Sequence, residues 1–227
     1  MAFSIAIDGP AGAGKSTIAR RVARQLGFIY VDTGAMYRAM AVFLLRRGIS
    51  PENAEAIGKA CGEADISICY QDGEQIVLLN GENVNPLLRT EQAGNMASAS
   101  SVNPSVREKL VELQQKLAAK TDVVMDGRDI GTVVLRGADC KIYMTASVEV
   151  RAARRAAELL AKGEPADTAA IGRDIAARDH RDMTRETSPL RQAEDAVYLD
   201  TSDMTIEEVS DRIIAVFREK TGASQKG

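Results

Sequence analysis

Residues 9–16 read Gly9-Pro10-Ala11-Gly12-Ala13-Gly14-Lys15-Ser16, and Thr17 comes next. The run matches G-x-x-x-x-G-K-[ST], the phosphate-binding P-loop. A triphosphate needs many hydrogen-bond donors at close range. Glycines let the backbone turn tightly enough to bring its N–H groups against phosphate oxygens. Lys15 has the reach to meet the β/γ-phosphates, and the Ser16 hydroxyl suits Mg²⁺. Context decides whether such a match is meaningful. The apolar run Phe3-Ser4-Ile5-Ala6-Ile7 before it reads as a buried strand. After it, Ile18, Ala19, Val22, Ala23 and Leu26 recur at helical spacing, and Gly27 is a helix stop. Strand, glycine loop and helix stand in the order a P-loop requires.

Working outward, four more short apolar runs resemble the first: about 28–32, 122–126, 140–145 and 196–200. Helical patterns separate most of them. This alternation predicts an α/β fold, a five-stranded parallel sheet flanked by helices. The last helix opens on a capping box, Thr205-Ile206-Glu207-Glu208, and is expected to run to about Lys220, leaving 221–227 as a tail.

Two segments break the rhythm. Between the second and third core strands, Ile66-Ser67-Ile68-Cys69-Tyr70 and Ile76-Val77-Leu78-Leu79 are punctuated by Asp72-Gly73 and Asn80-Gly81. Those dipeptides are hairpin signals, so about 61–85 is expected as a small antiparallel β insert. It is either decoration of the fold or a cover over an acceptor. Residues 147–191 are helical in pattern and carry Arg151, Arg154, Arg155, Arg173, Arg178, Arg181, Arg185 and Arg191. Arg151, Arg154 and Arg155 share one side of a helix. Such a segment is either a solvated charge network or an arginine lid that clasps phosphates. The core is then 1–60, 86–146 and 192–220.

Composition narrows the function. The 227 residues are 45% hydrophobic with a net charge of −3, which argues against a general nucleic-acid binder. Cys61, Cys69 and Cys140 are scattered and odd in number, which fits a reducing compartment and no metal cluster. His180 is the one histidine, so chemistry built on imidazole is disfavoured. No leader pattern precedes the first strand, and no apolar stretch is long enough to span a bilayer. The expectation is a cytoplasmic monomer with small-molecule partners, no nucleic acid and no membrane.

P-loops serve switches, motors and kinases. The guanine-binding Asn-Lys-x-Asp and the Asp-x-x-Gly switch motifs are absent, which disfavours a GTPase. Transfer of a phosphoryl group to another phosphate fits better. The acceptor oxygen is already ionised near neutral pH, so position and positive charge carry the catalysis without a general base. Asp32-Thr33-Gly34-Ala35-Met36-Tyr37-Arg38 and Asp126-Gly127-Arg128-Asp129 each come directly after an apolar run. In an open parallel sheet both would face the crevice beyond the strand ends. A kinase for another small acceptor, such as UMP or AMP, and a nucleotide-binding regulatory module with little turnover remain the alternatives.

The set GPAGAGKST, DTGAMYR, NMASASSVNPSVRE, DGRDIGTVV and ARDHRDMTRETSPL, in this order and spacing, resembles bacterial cytidylate kinases. The resemblance implies the P-loop nucleoside-monophosphate-kinase fold with sheet order 2-3-1-4-5, and phosphorylation of CMP and dCMP by ATP with Mg²⁺. It assigns Gly9, Pro10, Ala11, Gly12, Ala13, Gly14, Lys15, Ser16 and Thr17 to ATP, with Arg155 of the lid. Lys15, Arg128, Arg185, Arg151 and Arg154 would be catalytic. Arg38, Arg128 and Arg185 would hold the CMP phosphate, with Thr33 and Tyr37 beside it. Ser98, Arg107 and Asp129 would address the cytosine edge, and Arg178 and Asp182 the pentose. Ser16 would meet Mg²⁺ at the ATP, with Asp126 behind it through water. Thr33 stands where some relatives carry Ser, and Ser16 where some carry Gly.

Overall fold

The computed structural model describes residues 2–223. In chain order the strands are β1 (Ser4–Asp8), β2 (Ile29–Asp32), β3 (Ile66–Gln71), β4 (Glu74–Leu79), β5 (Glu82–Asn83), β6 (Val123–Gly127), β7 (Cys140–Thr145) and β8 (Val197–Asp200). The helices are α1 (Lys15–Leu26), α2 (Thr33–Arg46), α3 (Ala54–Cys61), α4 (Glu91–Ser100), α5 (Pro104–Ala118), α6 (Val148–Ala161), α7 (Thr168–Thr184) and α8 (Ile206–Thr221). A single π turn covers Ile130–Val134.

The main sheet runs β2-β6-β1-β7-β8, which is the expected order 2-3-1-4-5 of the core strands. β1 pairs in parallel with β6 and β7, and the register sets Asp8 opposite Gly127 on one side and Tyr143 on the other. The strand ends are therefore level. The P-loop after β1, Arg128 and Asp129 after β6, and Ala146 and Ser147 after β7 all leave the sheet along one edge. This is where α/β sheets bind ligands.

The chain divides into two compact units, Met1–Tyr30 with Thr121–Gly227, and Val31–Lys120. In the first, Ile5, Ile7, Val124, Cys140, Ile142 and Met144 form one apolar sheet face. Ile18, Ala19, Val22 and Ala23 of α1 and Val209, Ile213, Ile214 and Phe217 of α8 close over it. Phe217 meets Phe3 and Phe28 edge-to-face at 5.4 and 5.5 Å, a favoured aromatic geometry. The α8 capping box is present. The helix extends to Thr221, and the amide of Gly222, in the left-handed region, donates to Arg218 O at 2.8 Å. The expected tail thus begins past this cap, and 224–227 lie outside the described residues.

In the second unit α2 is buried on most sides, from Thr33, Ala35 and Met36 through Leu44, as a helix with apolar residues all round must be. It packs on α4 and on β4. β3, β4 and β5 form the expected antiparallel meander. Asp72-Gly73 and Asn80-Gly81 all have positive φ, as tight hairpin turns of this kind require. Gln75 of β4 is held at the start of α2: its Oε1 accepts from Asp32 N at 2.8 Å and its Nε2 donates to Asp32 O at 3.2 Å.

Candidate active site

The P-loop is shaped by contact as much as by turns. A Cβ on Gly9 would lie 1.9 Å from the Met144 carbonyl oxygen of β7, so only glycine fits there. Gly14 starts α1 at φ 84 and brings no side-chain cap, and the first turn holds no acidic residue. The helix N-terminus is thereby left with its partial positive charge and amides for an anion. Lys15 is only 5% exposed, and its ammonium donates to Pro10 O at 2.6 Å. Burial pushes this amine down to about 7, and the Arg128 charge pushes the same way against Asp126, Asp8 and Asp182.

Ser16 Oγ donates to Asp126 Oδ2 at 2.9 Å, and Tyr30 OH donates to Asp126 Oδ1 at 2.8 Å. The Arg20 guanidinium lies 5.3 Å from the Tyr30 ring centre. Among the described residues no group of three or more His, Cys, Asp or Glu is placed to hold a metal ion. The Ser16–Asp126 oxygen pair fits a hard cation that keeps several waters and takes its remaining ligands from phosphate.

At the end of β6, Arg128 Nε donates to Asp182 Oδ2 at 2.8 Å and Nη1 to Gly127 O at 3.2 Å. Arg185 Nη1 stands 4.0 Å from Asp182 Oδ1, and its Nε donates to Ser188 O at 2.8 Å. Asp182 thus gathers two of the expected phosphate-binding arginines. Arg178 lies one helical turn before it on α7. Asp129, buried, comes after Arg128 and opens the π turn. The carboxylate of Asp8 accepts from Ile130 N at 2.8 Å and Gly131 N at 2.7 Å.

The three arginines of α6 do not converge. Arg151 is buried: its Nε donates to Ala146 O and its Nη1 to Ala11 O of the P-loop, both at 2.8 Å, while Asp179 Oδ2 of α7 lies 2.7 Å from Nη1. Arg154 Nη2 donates to Thr201 O beyond β8 at 2.7 Å. Arg155 is exposed and pairs with Glu158 at 3.0 Å. Helical spacing places the three on a shared side; their length carries the charged heads to three different partners.

In the second unit, Arg107 of α5 is buried, lies 5.7 Å from the centre of the Tyr37 ring and donates to Ser101 O at 3.2 Å. Ser98, half-buried on α4, accepts from Ser101 Oγ through its carbonyl at 2.9 Å. Thr33 is buried at the first turn of α2, whose cap is Asp32. Arg38, half-buried one turn on, lies over Gly34. Sequence reasoning does not single out Asp8, Tyr30 or Asp179. For Asp8 there is a signal, a carboxylate ending an apolar strand immediately before the P-loop.

A sequence model of the cytidylate kinase family matches residues 5–219. The chain belongs to the cytidylate kinase family. Relatives named cytidylate kinase include one from Carboxydothermus hydrogenoformans, 49% identical over 95% of this chain and 97% of that protein. Another, from Streptococcus pneumoniae, is 48% identical over 94% and 96% of the two chains. Among solved structures, a gluconokinase from Sinorhizobium meliloti superimposes with a TM-score of 0.51 at 14% identity, covering 96% of this chain and 92% of that one. An uncharacterized protein from Eubacterium ventriosum gives 0.52 at 13% identity, covering 96% and 99%. These two show a shared fold. Family membership makes the chain a phosphotransferase with ATP as the phosphoryl donor. No helix among the described residues is long and apolar enough to cross a membrane.

Proposed function

We propose that the chain transfers the γ-phosphoryl group of ATP to CMP and dCMP, releasing ADP with CDP or dCDP. The observation that supports this reading is the level edge of β1 and β6, where the P-loop with Lys15 and the segment with Arg128 leave the sheet together, and where Arg128 is joined to Asp182 and Arg185 at the end of α7. One side of that edge is built for a donor triphosphate, the other for a second phosphate.

A phosphate oxygen of the acceptor attacks the γ-phosphorus as the bond to the β,γ-bridging oxygen breaks. The attacking oxygen carries no proton to remove near neutral pH, so no base is required. Lys15, Arg128 and Arg185 offset charge on the phosphoryl in flight, and Arg151 and Arg154 support the donor side. Arg38 joins Arg128 and Arg185 on the acceptor phosphate, with Thr33 and Tyr37 alongside. Asp129 accepts from the exocyclic amine of cytosine, Ser98 and Arg107 address the rest of the base edge, and Arg178 and Asp182 take the pentose. Ser16, backed by Asp126, would hold Mg²⁺, which when bound neutralises charge on the donor phosphates. Arg155 belongs to the ATP side. The enzyme works as a cytoplasmic monomer on small-molecule substrates, with no membrane or nucleic-acid partner. Residues 147–191 act as lid and about 61–85 as acceptor-side insert.

An assay coupled to ADP release, run with each nucleoside monophosphate in turn, tests this. CMP and dCMP should be turned over well. UMP, whose carbonyl faces an ionised Asp129 with no proton between two acceptors, should be poorer by up to about 10⁴. ADP release with UMP or AMP equal to that with CMP would overturn the assignment, and so would release that ignores the acceptor.

A further inference from the structure

Asp8 has no role in this phosphoryl transfer, yet its placement is unusual. It ends the central strand, is 5% exposed, and directs both carboxylate oxygens at backbone amides more than a hundred residues away in sequence. Those amides, Ile130 N and Gly131 N, are the first of the π turn. The first amides of any helical turn have no partner within it. Here the turn's opening carbonyl, Asp129 O, is taken by Val133 N at 2.8 Å and Val134 N at 3.2 Å. Asp8 therefore supplies the acceptors that let a π turn begin at this point. The turn is seated closely: a Cβ on Gly131 would lie 3.4 Å from Asp8 Oδ2 and 3.1 Å from Lys141 Cδ.

The residues on either side of this link give it meaning. Gly9, next after Asp8, is pressed against Met144 O. Arg128 and Asp129 immediately precede the two amides. One carboxylate thus joins the start of the P-loop to the segment assigned to the acceptor.

The charge is kept against its surroundings. Burial is the largest influence on Asp8 and pushes its carboxyl up to about 6; Asp129 acts in the same direction, while the two amides and Lys15 hold it down. The other ionisable groups facing it are Tyr143, its register partner on β7, and Lys141, whose ammonium is held by Arg136 O and Asp195. A carboxyl raised in the folded state favours folding when protonated. Stability from this group is therefore greatest at low pH and declines as pH rises toward about 6. A neutral cap would suit stability better. Retaining a costly charge at a junction of two functional loops is what a site under functional demand does.

We propose that Asp8 is a positioning residue for the acceptor: its ionised carboxylate clamps the Arg128–Asp129 segment to the first residue of the P-loop. The proposal rests on the reading of Arg128 and Asp129 as acceptor-binding. Protonation or Asp8→Asn substitution turns one acceptor into a donor facing an N–H, which opens one arm of the clamp.

The test combines kinetics of Asp8→Asn with amide NMR of the ligand-free protein. In the variant the KM for CMP should rise about tenfold, the scale set by one lost charge-assisted bond. The KM for ATP should stay within about twofold and the melting temperature within a few degrees, because the lost charge was itself unfavourable. In wild-type protein the Ile130 and Gly131 amide shifts should titrate together near pH 6, and this inflection should vanish in the variant. A wild-type KM for CMP in Asp8→Asn would overturn the proposal. So would equal rises in both KM values with a large fall in melting temperature, the mark of a purely structural residue. Failure of the wild-type enzyme to phosphorylate CMP would instead sink the acceptor assignment, and the amide titration would still report whether the clamp exists.

Discussion

Under the proposed function, the P-loop and the arginine-rich helices α6 and α7 would both serve phosphate chemistry, by different physics. In the P-loop the donors are backbone amides, fixed by the contact of Gly9 with β7 and by the left-handed turn at Gly14. In α6 and α7 the donors are side chains, and several are already spoken for. Arg151 is held by Ala11 O and Asp179 and Arg154 by Thr201 O, while Asp182 of α7 draws in Arg185, just past that helix, and Arg128 from the end of β6. The backbone site is set by local contacts; the arginines are satisfied by internal partners. On the proposed assignment Asp182 occupies the cations that a phosphate would take, so an acceptor would compete with it. The first arrangement gives position, and the second makes engagement conditional on the right anion.

If that contrast is right, substitutions on the two sides should differ in kind. Lys15→Met removes the one side-chain cation of the preorganised side. Turnover should fall by about 10²–10³, the usual loss for one electrostatic contact to a transition state. The variant should unfold no lower than wild type, since burial already disfavours this charge. Near-wild-type kcat in the purified variant would contradict the assignment of the loop.

Asp182→Ala acts on the conditional side and should read out in the acceptor. The KM for CMP should rise by about tenfold as pentose contacts and the placement of Arg128 are lost, with the KM for ATP nearly unchanged. A rise confined to ATP would move Asp182 to the donor side.

A smaller effect is expected in protons. Lys15 is lowered to about 7 from 10.5, so the unfolded chain binds more protons than the folded one between those values. The empty protein should gain stability as pH rises from about 7, and the penalty is fully present below it. Phosphates restore the charge. ATP binding near pH 8 should therefore take up close to one proton, measured calorimetrically in buffers of different ionisation enthalpy. Lys15→Met should abolish the uptake.

The same contrast explains what sequence could and could not disclose. Buried parallel strands are short apolar runs, so all five core strands were legible, as were the two hairpin turns from Asp72-Gly73 and Asn80-Gly81. The P-loop was legible because a backbone site leaves glycines at fixed spacing. The destinations of Arg151, Arg154 and Arg155 were not. Helical spacing gives the side a residue starts from, whereas the partners of Arg151 and Arg154 lie at Ala11 and Thr201, set by tertiary packing. Asp8 and the π turn it caps were hidden for the same reason: each explains the other, and 122 residues separate Asp8 from Ile130. The compact unit Val31–Lys120 also exceeds the meander visible in the pattern, because α2, buried on most sides, draws α4 and β4 to itself.

Amide hydrogen exchange across the first unit, with no ligand, a non-hydrolysable ATP analogue, CMP, and both, tests the exchange of internal for external partners most directly. P-loop and α1 amides should respond to the ATP analogue alone, while those of α6 and α7 should gain their full protection only with both nucleotides present. Equal protection of α6 and α7 in all four states would contradict this exchange of partners, and would make their arginines a static salt-bridge network.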